Sequence, residues 1–300
     1  MQKIKVAIII VNYNGVNDTI ECLNSINNSN VRSNILIEIY VVDNKSTNDE
    51  LSVISNKFPN IIPIQSEINQ GFAGGNNIGI RRALSEGSDY ILLLNNDTVI
   101  DNNMIEELLS VVDDNTIVSP KMLYFSKPDI VWYGGGYIDR HKGNSYHFGM
   151  NLKDDHLTEV TRCSFATGCC ILIPRKIIQQ CGYFEDDYFM YCEDTEYCVR
   201  IQEAGYRILY NPNAVLWHKV SASTGGDESP FSIYYMTRNR LSCISKHNKY
   251  FLFPSFQYAF LSRIFRMMTS RIINKSIFRA YSLGIKDFLN HKMGRSEEIG

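Results

Sequence analysis

The sequence predicts an α/β protein: an open, mostly parallel sheet flanked by helices, with a helical C-terminal extension. Three observations carry that prediction. Continuous β-branched runs alternate with segments of helical spacing through the first third of the chain. Each run ends in a cluster of Asn, Asp or Gly, where strands of such a sheet bring their carboxyl ends to a ligand. Beyond about residue 230 the pattern turns helical, aromatic and basic.

The first run, residues 6–11, is uniformly apolar, as suits a strand covered on both faces, and stops at Asn12-Tyr13-Asn14-Gly15. A helix follows, capped by Asn17 or Asp18, with Ile20, Leu23 and Ile26 at helical spacing before an Asn/Ser-rich break at 27–34. Residues 35–42 make a second strand ending in Asp43-Asn44, with Ser46 and Thr47 placed to cap the next helix. The spacing predicts a third strand at 61–64, a helix at 77–86, a fourth strand at 90–94 and a helix at 102–112. From about 117, short β runs surround a Gly-rich turn at 134–136. Helices at 175–181 and 192–204 and strands near 206–218 complete the expectation of one domain over 1–230, its halves meeting near 115, and an extension over 231–300.

A chain of 300 residues with 44% hydrophobic and 21% charged residues is globular, which excludes disordered, collagen-like and coiled-coil classes. Thirty basic against 32 acidic side chains give a net charge of -2, too neutral for binding to nucleic-acid phosphates. The charge is unevenly spread: residues 246–300 hold ten Lys and Arg against three Asp and Glu. The eight cysteines contain no CxxC pair and sit mostly in apolar runs, as expected of reduced thiols in a cytosolic protein. The opening Met-Gln-Lys-Ile-Lys leads into the first strand without a signal-peptide pattern, and no apolar stretch approaches the roughly 20 residues of a membrane span. A cytoplasmic location is the expectation.

Four segments carry chemistry-bearing residues. Asn95-Asn96-Asp97 closes the apolar strand at 91–94 and puts a carboxylate where a hard divalent cation could meet a diphosphate, or where a helix near 101 needs a cap. Asp43 could accept from the N–H of a base, or serve the turn. Residues 69–77, with three glycines and several amides ahead of a helix, let backbone approach a ligand closely. Glu193 and Asp194 open a helix, where they favour its dipole and offer a general base, with Asp194 on the face of Tyr197, Cys198 and Ile201.

Together, Asn12-Tyr13-Asn14, Asp43-Asn44 with Ser46, the run 69–77 with Gly79, Asn95-Asn96-Asp97, Thr167-Gly168, and Glu193-Asp194 with Arg200 resemble family 2 inverting glycosyltransferases. The nearest subgroup is the rhamnosyltransferase-like enzymes of bacterial surface polysaccharides. The resemblance implies a GT-A fold with a nucleotide-binding half at 1–115 and an acceptor half at 116–230. It implies that Asn12, Tyr13 and Asp43 hold a pyrimidine base and that Asn69, Gly71, Asn76 and Asn77 border the donor. Asn95, Asn96 and Asp97 stand at the DxD position, where Asn95 replaces the first Asp and leaves Asp97 as the metal-binding carboxylate. His218 is implied as a second ligand for Mn²⁺ or Mg²⁺, and Arg238, in an Arg-Asn motif, as the cation facing the departing diphosphate. The QxxRW sequence of processive synthases is absent, so one sugar per encounter is implied.

The implied reaction is a single displacement with inversion, Asp194 taking the acceptor's proton and Glu193 supporting it. The implied donor is dTDP-rhamnose or a UDP-hexose, and the acceptor a glycan or a lipid-linked oligosaccharide. A nucleotidyltransferase would show a basic Gly-rich loop after the first strand, and an oxidoreductase GxGxxG there; neither is present. A non-catalytic nucleotide-sugar or glycan-binding protein is the remaining alternative, which the carboxylates Asp97 and Asp194 argue against. The tail, with Arg263, Arg266 and Arg271 among dense aromatic residues, is expected to pack on the domain and to present a basic surface to anionic lipid.

Overall fold

The computed structural model describes residues 3–155, 158–220 and 228–299. The first half comprises β1 (Ile4–Asn12), α1 (Val16–Asn27), β2 (Ile35–Asp43), α2 (Glu50–Lys57), β3 (Ile62–Gln65), α3 (Gly71–Ser85), β4 (Tyr90–Leu94), β5 (Thr98–Ile100) and α4 (Met104–Val111). The second half adds β6 (Thr116–Tyr124), β7 (Lys127–Tyr133), β8 (Gly136–Asp139), β9 (Asn144–His147), β10 (Thr161–Cys163) and β11 (Cys170–Pro174). Then come α5 (Arg175–Cys181), α6 (Glu193–Glu203) and β12 (Arg207–His218). Three helices follow: α7 (Pro230–Lys246), α8 (Ser255–Ile273) and α9 (Lys275–Leu289).

The main sheet runs β10-β12-β6-β11-β4-β1-β2-β3, with β5 on β12 and β7 on β6. Strands β3, β2, β1 and β4 are mutually parallel, as the alternation of strand and helix requires, while β11 enters antiparallel between β4 and β6. Val6, Ala7, Ile8, Ile9 and Ile10 of β1 are wholly buried, which is why that strand reads as an unbroken apolar run. The register sets Asn12 beside Asp43 at the carboxyl ends of β1 and β2. All eight cysteines are free, and all but Cys192 are buried, so they serve as small core residues.

The structure corrects the expectation of a Gly-rich loop over 69–77: α3 already begins at Gly71. Its glycines serve close packing, because a Cβ at Gly79 would lie 2.5 Å from Ile9 and one at Gly75 would lie 3.0 Å from Val11. Gly71, at φ +70, has the Phe189 carbonyl where a side chain would be, so the helix start is pinned to the second half. Two caps also differ. Helix α1 follows Gly15 without a side-chain cap, because Asp18 instead holds Lys219. Asp49 caps α2, since the Ser46 hydroxyl is taken by Asn12 and Asn14.

The C-terminal helices close against the second half. Helix α7 is buried along most of its length, with the Tyr234 hydroxyl donating to Asp287 of α9 at 2.6 Å. Asn239 donates to the carbonyls of Tyr188, Met190 and Tyr191, so the extension fixes the segment leading into α6.

Candidate active site

At the ends of β1 and β2, Asn12 is the hub. Its Nδ2 donates to Asp43 at 2.9 Å, Ser46 at 3.1 Å and Glu50 at 2.8 Å, and its Oδ1 accepts from Thr19 at 2.7 Å. The Asn12 side chain is fully buried and bonded within the protein, and it fixes the shape of this edge. Asp43 also accepts from the Ser46 amide and from Gln65 Nε2 at 3.0 Å. Burial alone would raise its pKa; hydrogen bonds from Ser46, Asn12 and Gln65 outweigh that and hold it below the ordinary carboxylate value. Tyr13 stands half exposed at the lip. Glu50, missed in the sequence, receives the Gly15 amide at 3.0 Å and so fixes the turn after β1. Its place in the first turn of α2 gave no signal beyond ordinary dipole chemistry.

Asn69 keeps its place at this edge, its Oδ1 accepting from Gly71 N at 2.9 Å and from Asn44 at 3.2 Å. Asn76 and Asn77 turn into the protein interior, away from the expected donor edge. Asn76 is bonded to Phe72 of its own helix, and Asn77, wholly buried, reaches Phe184 and Asp186 of the second half. They became inward-facing once 71–77 became helix, because the helical turn aims them at the core.

The β5–β12 ladder pairs Thr98 with His218 and thereby brings residues 97 and 218 together. His218 Nε2 lies 3.2 Å from Asp97 Oδ1, and Asp97 precedes a strand rather than a helix, so it is no cap. Trp132 packs edge-on against the imidazole at 4.4 Å, and Cys169 lies beside it. Burial opposes the imidazolium, while Cys169 and Asp97 favour it and shift its pKa upward. His218 Nδ1 is buried without a hydrogen-bond partner among the described residues. Neighbouring donors on an octahedral cation with bonds of about 2.1 Å stand about 3 Å apart, so the pair fits two adjacent positions of Mg²⁺ or Mn²⁺. No group of three or more metal-ligating side chains gathers among the described residues. Asn96 turns away, bonding Thr19 at 3.0 Å, and Asn95 contributes its backbone, its amide donating to Cys169 O at 2.8 Å.

On the facing side, α6 presents its two acids differently. Asp194 keeps partial exposure, its Oδ2 accepting from Gly168 N at 3.2 Å and its Oδ1 from Thr195 N at 2.7 Å. Burial outweighs those bonds and raises its pKa, as a general base requires. Glu193 points inward, with Oε2 buried and unpartnered among the described residues, and burial and the Asp194 charge push its pKa well above the ordinary value. The segment ahead of them is strained: Phe189, Tyr191 and Cys192 all have positive φ, held by the Phe72 amide and by Asn239. The stretch 167–169 links the two sides. Gly168 holds Asp194, and the next residue, Cys169, holds Asn95 and flanks His218.

Arg238 does not face this cleft. It is 1% exposed, donating to Asn239, Tyr234 and the Gly294 and Tyr188 carbonyls, with Tyr234 and Tyr235 under its guanidinium. Its role is to dock the extension, a long-range partnership that no local motif exposes. A depression of about 400 Å³ at the opposite end of the sheet, lined by Lys3, Asp89 and Arg175, holds none of these residues.

A parallel core of this strand order, continued by antiparallel strands and flanked by helices, is the GT-A arrangement. The profile of glycosyl transferase family 2 matches residues 7–182, and the chain belongs to that family and is a glycosyltransferase. A low-salt glycan biosynthesis hexosyltransferase, Agl10 of Haloferax volcanii, is 29% identical over 247 residues, covering 78% of this chain and 73% of its own. The dTDP-rhamnosyl transferase RfbF of Shigella flexneri is 24% identical over 60% of this chain and 62% of its own length. Among solved structures, S. aureus TarS with UDP-GlcNAc superposes over 96% of this chain and 81% of that one, with TM-score 0.62 and 16% identity. GalNAc-T7 with UDP, GalNAc and Mn²⁺ superposes over 96% of this chain and 57% of that one, at TM-score 0.63 and 15% identity. These two likenesses are of fold.

Proposed function

We propose that the protein is an inverting, metal-dependent glycosyltransferase that moves one sugar, rhamnose or a hexose, from a nucleoside-diphosphate donor to a glycan or lipid-linked acceptor in surface-polysaccharide assembly. The observation that carries this reading is the 167–169 segment, whose consecutive residues hold Asp194 and flank His218. Consecutive Cα atoms stand about 3.8 Å apart, so the proton acceptor and the cation-binding pair serve a single reacting centre. Asp194, made basic by burial, takes the proton of the acceptor hydroxyl as it attacks the anomeric carbon. Asp43 accepts the N3–H of uracil or thymine, which an unprotonated cytosine does not offer. Asp97 and His218 would hold Mn²⁺ or Mg²⁺, which supplies charge stabilisation to the diphosphate. RfbF, named a dTDP-rhamnosyl transferase, supports dTDP-rhamnose as the first donor to try.

A donor panel with purified protein tests the proposal, reading release of UDP, dTDP or GDP with and without Mn²⁺. Asp97→Ala is expected to weaken donor binding and abolish its dependence on metal. Metal-independent turnover in the wild type would remove the cation from the mechanism.

The surface of α8 supports a membrane-side acceptor. Tyr258, Leu261, Phe265 and Met268 recur at helical spacing and are all exposed, with Arg266 and Arg271 exposed on the same helix. No helix among the described residues is long and apolar enough to cross a membrane. Peripheral, salt-sensitive binding to anionic vesicles is expected, lost in Arg266→Glu/Arg271→Glu. Equal sedimentation with neutral and anionic vesicles would overturn it.

A further inference from the structure

The hairpin of β8 and β9 has two unlike faces. On the inner face Ser145 accepts from the Thr195 hydroxyl at 3.2 Å, one residue along α6 from Asp194, and His147 packs against Trp132, Tyr133 and Phe165. On the outer face Tyr137, the register partner of Tyr146, stacks on that ring at 5.1 Å and on Phe148 at 5.2 Å. Tyr137 and Phe148 are each 40% exposed, so aromatic rings stand where the solvent face of a strand pair ordinarily carries polar side chains. Phe148 ends this row and forms one wall of a cavity of about 280 Å³. The buried Cys163 and Tyr210 make its base, and Thr158, Glu159 and Thr161 supply a polar wall. The base is rigid: Gly135, at φ +91, lies so close that a Cβ there would stand 2.9 Å from Cys163 Sγ and 3.2 Å from Tyr210. The Glu159 carboxylate has no hydrogen-bond or ion-pair partner among the described residues. No Lys or Arg is among the described residues that line the cavity.

We infer that this cavity is a subsite for one sugar unit of a neutral glycan acceptor, a unit beyond the one that reacts. A pyranose is divided as the lining is, with C–H groups on its faces and hydroxyls around its rim. The electron-rich face of an aromatic ring attracts such C–H groups, while a carboxylate and threonine hydroxyls accept from the rim. A phosphate or nucleotide would call for Arg or Lys, and an acyl chain would leave the polar wall unsatisfied. The volume lies just below the roughly 300 Å³ at which sites for drug-sized ligands begin, which suits a single ring. Its position relative to the base is bounded by the chain. Cys163 stands five residues before Gly168, whose amide donates to Asp194 at 3.2 Å, and five extended residues span at most about 18 Å. One oligosaccharide can therefore reach both places. The cavity holds none of Asp97, Asp194 and His218, so a sugar seated there adds acceptor binding without entering the reaction. The inference rests on the glycosyltransferase reading for assigning the sugar to the acceptor, but the sugar binding stands apart from it.

The test is saturation-transfer NMR of the full chain in EDTA with the methyl pyranosides of rhamnose, glucose and N-acetylglucosamine, each titrated alone. At least one is expected to bind the wild type, and to bind Phe148→Leu and Glu159→Gln about fivefold more weakly. Phe148→Tyr, which keeps the ring, is expected to retain the affinity, as are Asp97→Ala and Asp194→Asn. Phe148 and Glu159 are exposed, so melting temperatures should stay near that of the wild type. Should Phe148→Leu nonetheless misfold, Glu159→Gln and Thr161→Val decide the matter from the polar wall. Binding of none of the three pyranosides to the wild type would overturn the subsite. So would unchanged binding in Phe148→Leu and Glu159→Gln together, or displacement of the sugar by UDP with Mn²⁺, which would seat it in the donor site. Donor hydrolysis by the wild type is measured in parallel. Pyranoside binding without hydrolysis of any donor would count against the proposed function alone, and hydrolysis without pyranoside binding against the subsite alone.

Discussion

The acids at the end of β2 and at the start of α6 are both desolvated, yet they titrate in opposite directions. Asp43 takes hydrogen bonds from Ser46, Asn12 and Gln65, which together overcome burial and lower its pKa. Asp194 has the Gly168 and Thr195 amides, and Glu193 has an unpartnered oxygen; burial wins in both and raises their pKa. Burial alone therefore does not set the charge of a carboxyl group; the supply of donors does. The first edge keeps a fixed negative charge. The second leaves a carboxylate with an appetite for a proton.

Replacing Asp194 by Asn tests the second edge and should have the largest effect. Turnover is expected to fall about 10²-fold or more while donor binding is spared. In the wild type, kcat/KM should decline on the acid side at a pH above the ordinary aspartate value, because the base must be ionised to act. Unchanged turnover in Asp194→Asn would remove the base assignment.

Glu196, one turn into α6, sharpens the comparison, because it is fully buried yet well supplied with donors. Arg200 at 2.7 Å, Lys246 at 3.0 Å and His247 at 3.1 Å hold its pKa at about 2, overcoming the burial that would raise it. A depressed carboxyl stabilises the fold above its unfolded pKa and loses that contribution as pH falls through the folded one. Glu196→Gln should therefore cost on the order of 3 kcal/mol at neutral pH. The gap to wild type should close between about pH 4.5 and 2. Denaturant titrations at several pH values measure it, and a gap independent of pH would contradict the donor-supply argument.

Asp43→Asn is expected to weaken UDP and dTDP about tenfold and to narrow their lead over CDP, since an amide can donate to cytosine N3. Competition binding reads this directly; an unchanged ranking would move base recognition elsewhere. The smallest effect should come from Glu193→Gln. Burial and the Asp194 charge already favour its uncharged form, so turnover should stay within about threefold of wild type. A loss as large as that of Asp194→Asn would make Glu193 the base.

Much of the strand framework was legible because burial on both faces writes itself into sequence as unbroken apolar runs. Residues 6–11, 35–42 and 90–94 fall within β1, β2 and β4, and Asp43, Asp97 and Asp194 follow from where strands stop and a helix starts. The 69–77 run misled because glycine serves both ligand approach and close helix packing, and only the neighbouring Ile9 and Val11 distinguish them. Asn76, Asn77 and Arg238 were misplaced for a related reason. A polar side chain looks the same in sequence whether it meets a ligand or a buried carbonyl.

By itself the sequence determined the alternation of elements, the strand ends and the residue types available there, since these depend on local spacing and propensity. Tertiary structure alone decided which of them meet. The pairing of Asp97 with His218 depends on the β5–β12 register, and the amide that steadies Asp194 on a loop 26 residues away. The docking of Arg238 depends on how α9 and the segment after it lie across α7. Each is a contact between residues far apart in the chain, where charge and desolvation are set by neighbours that local sequence does not name.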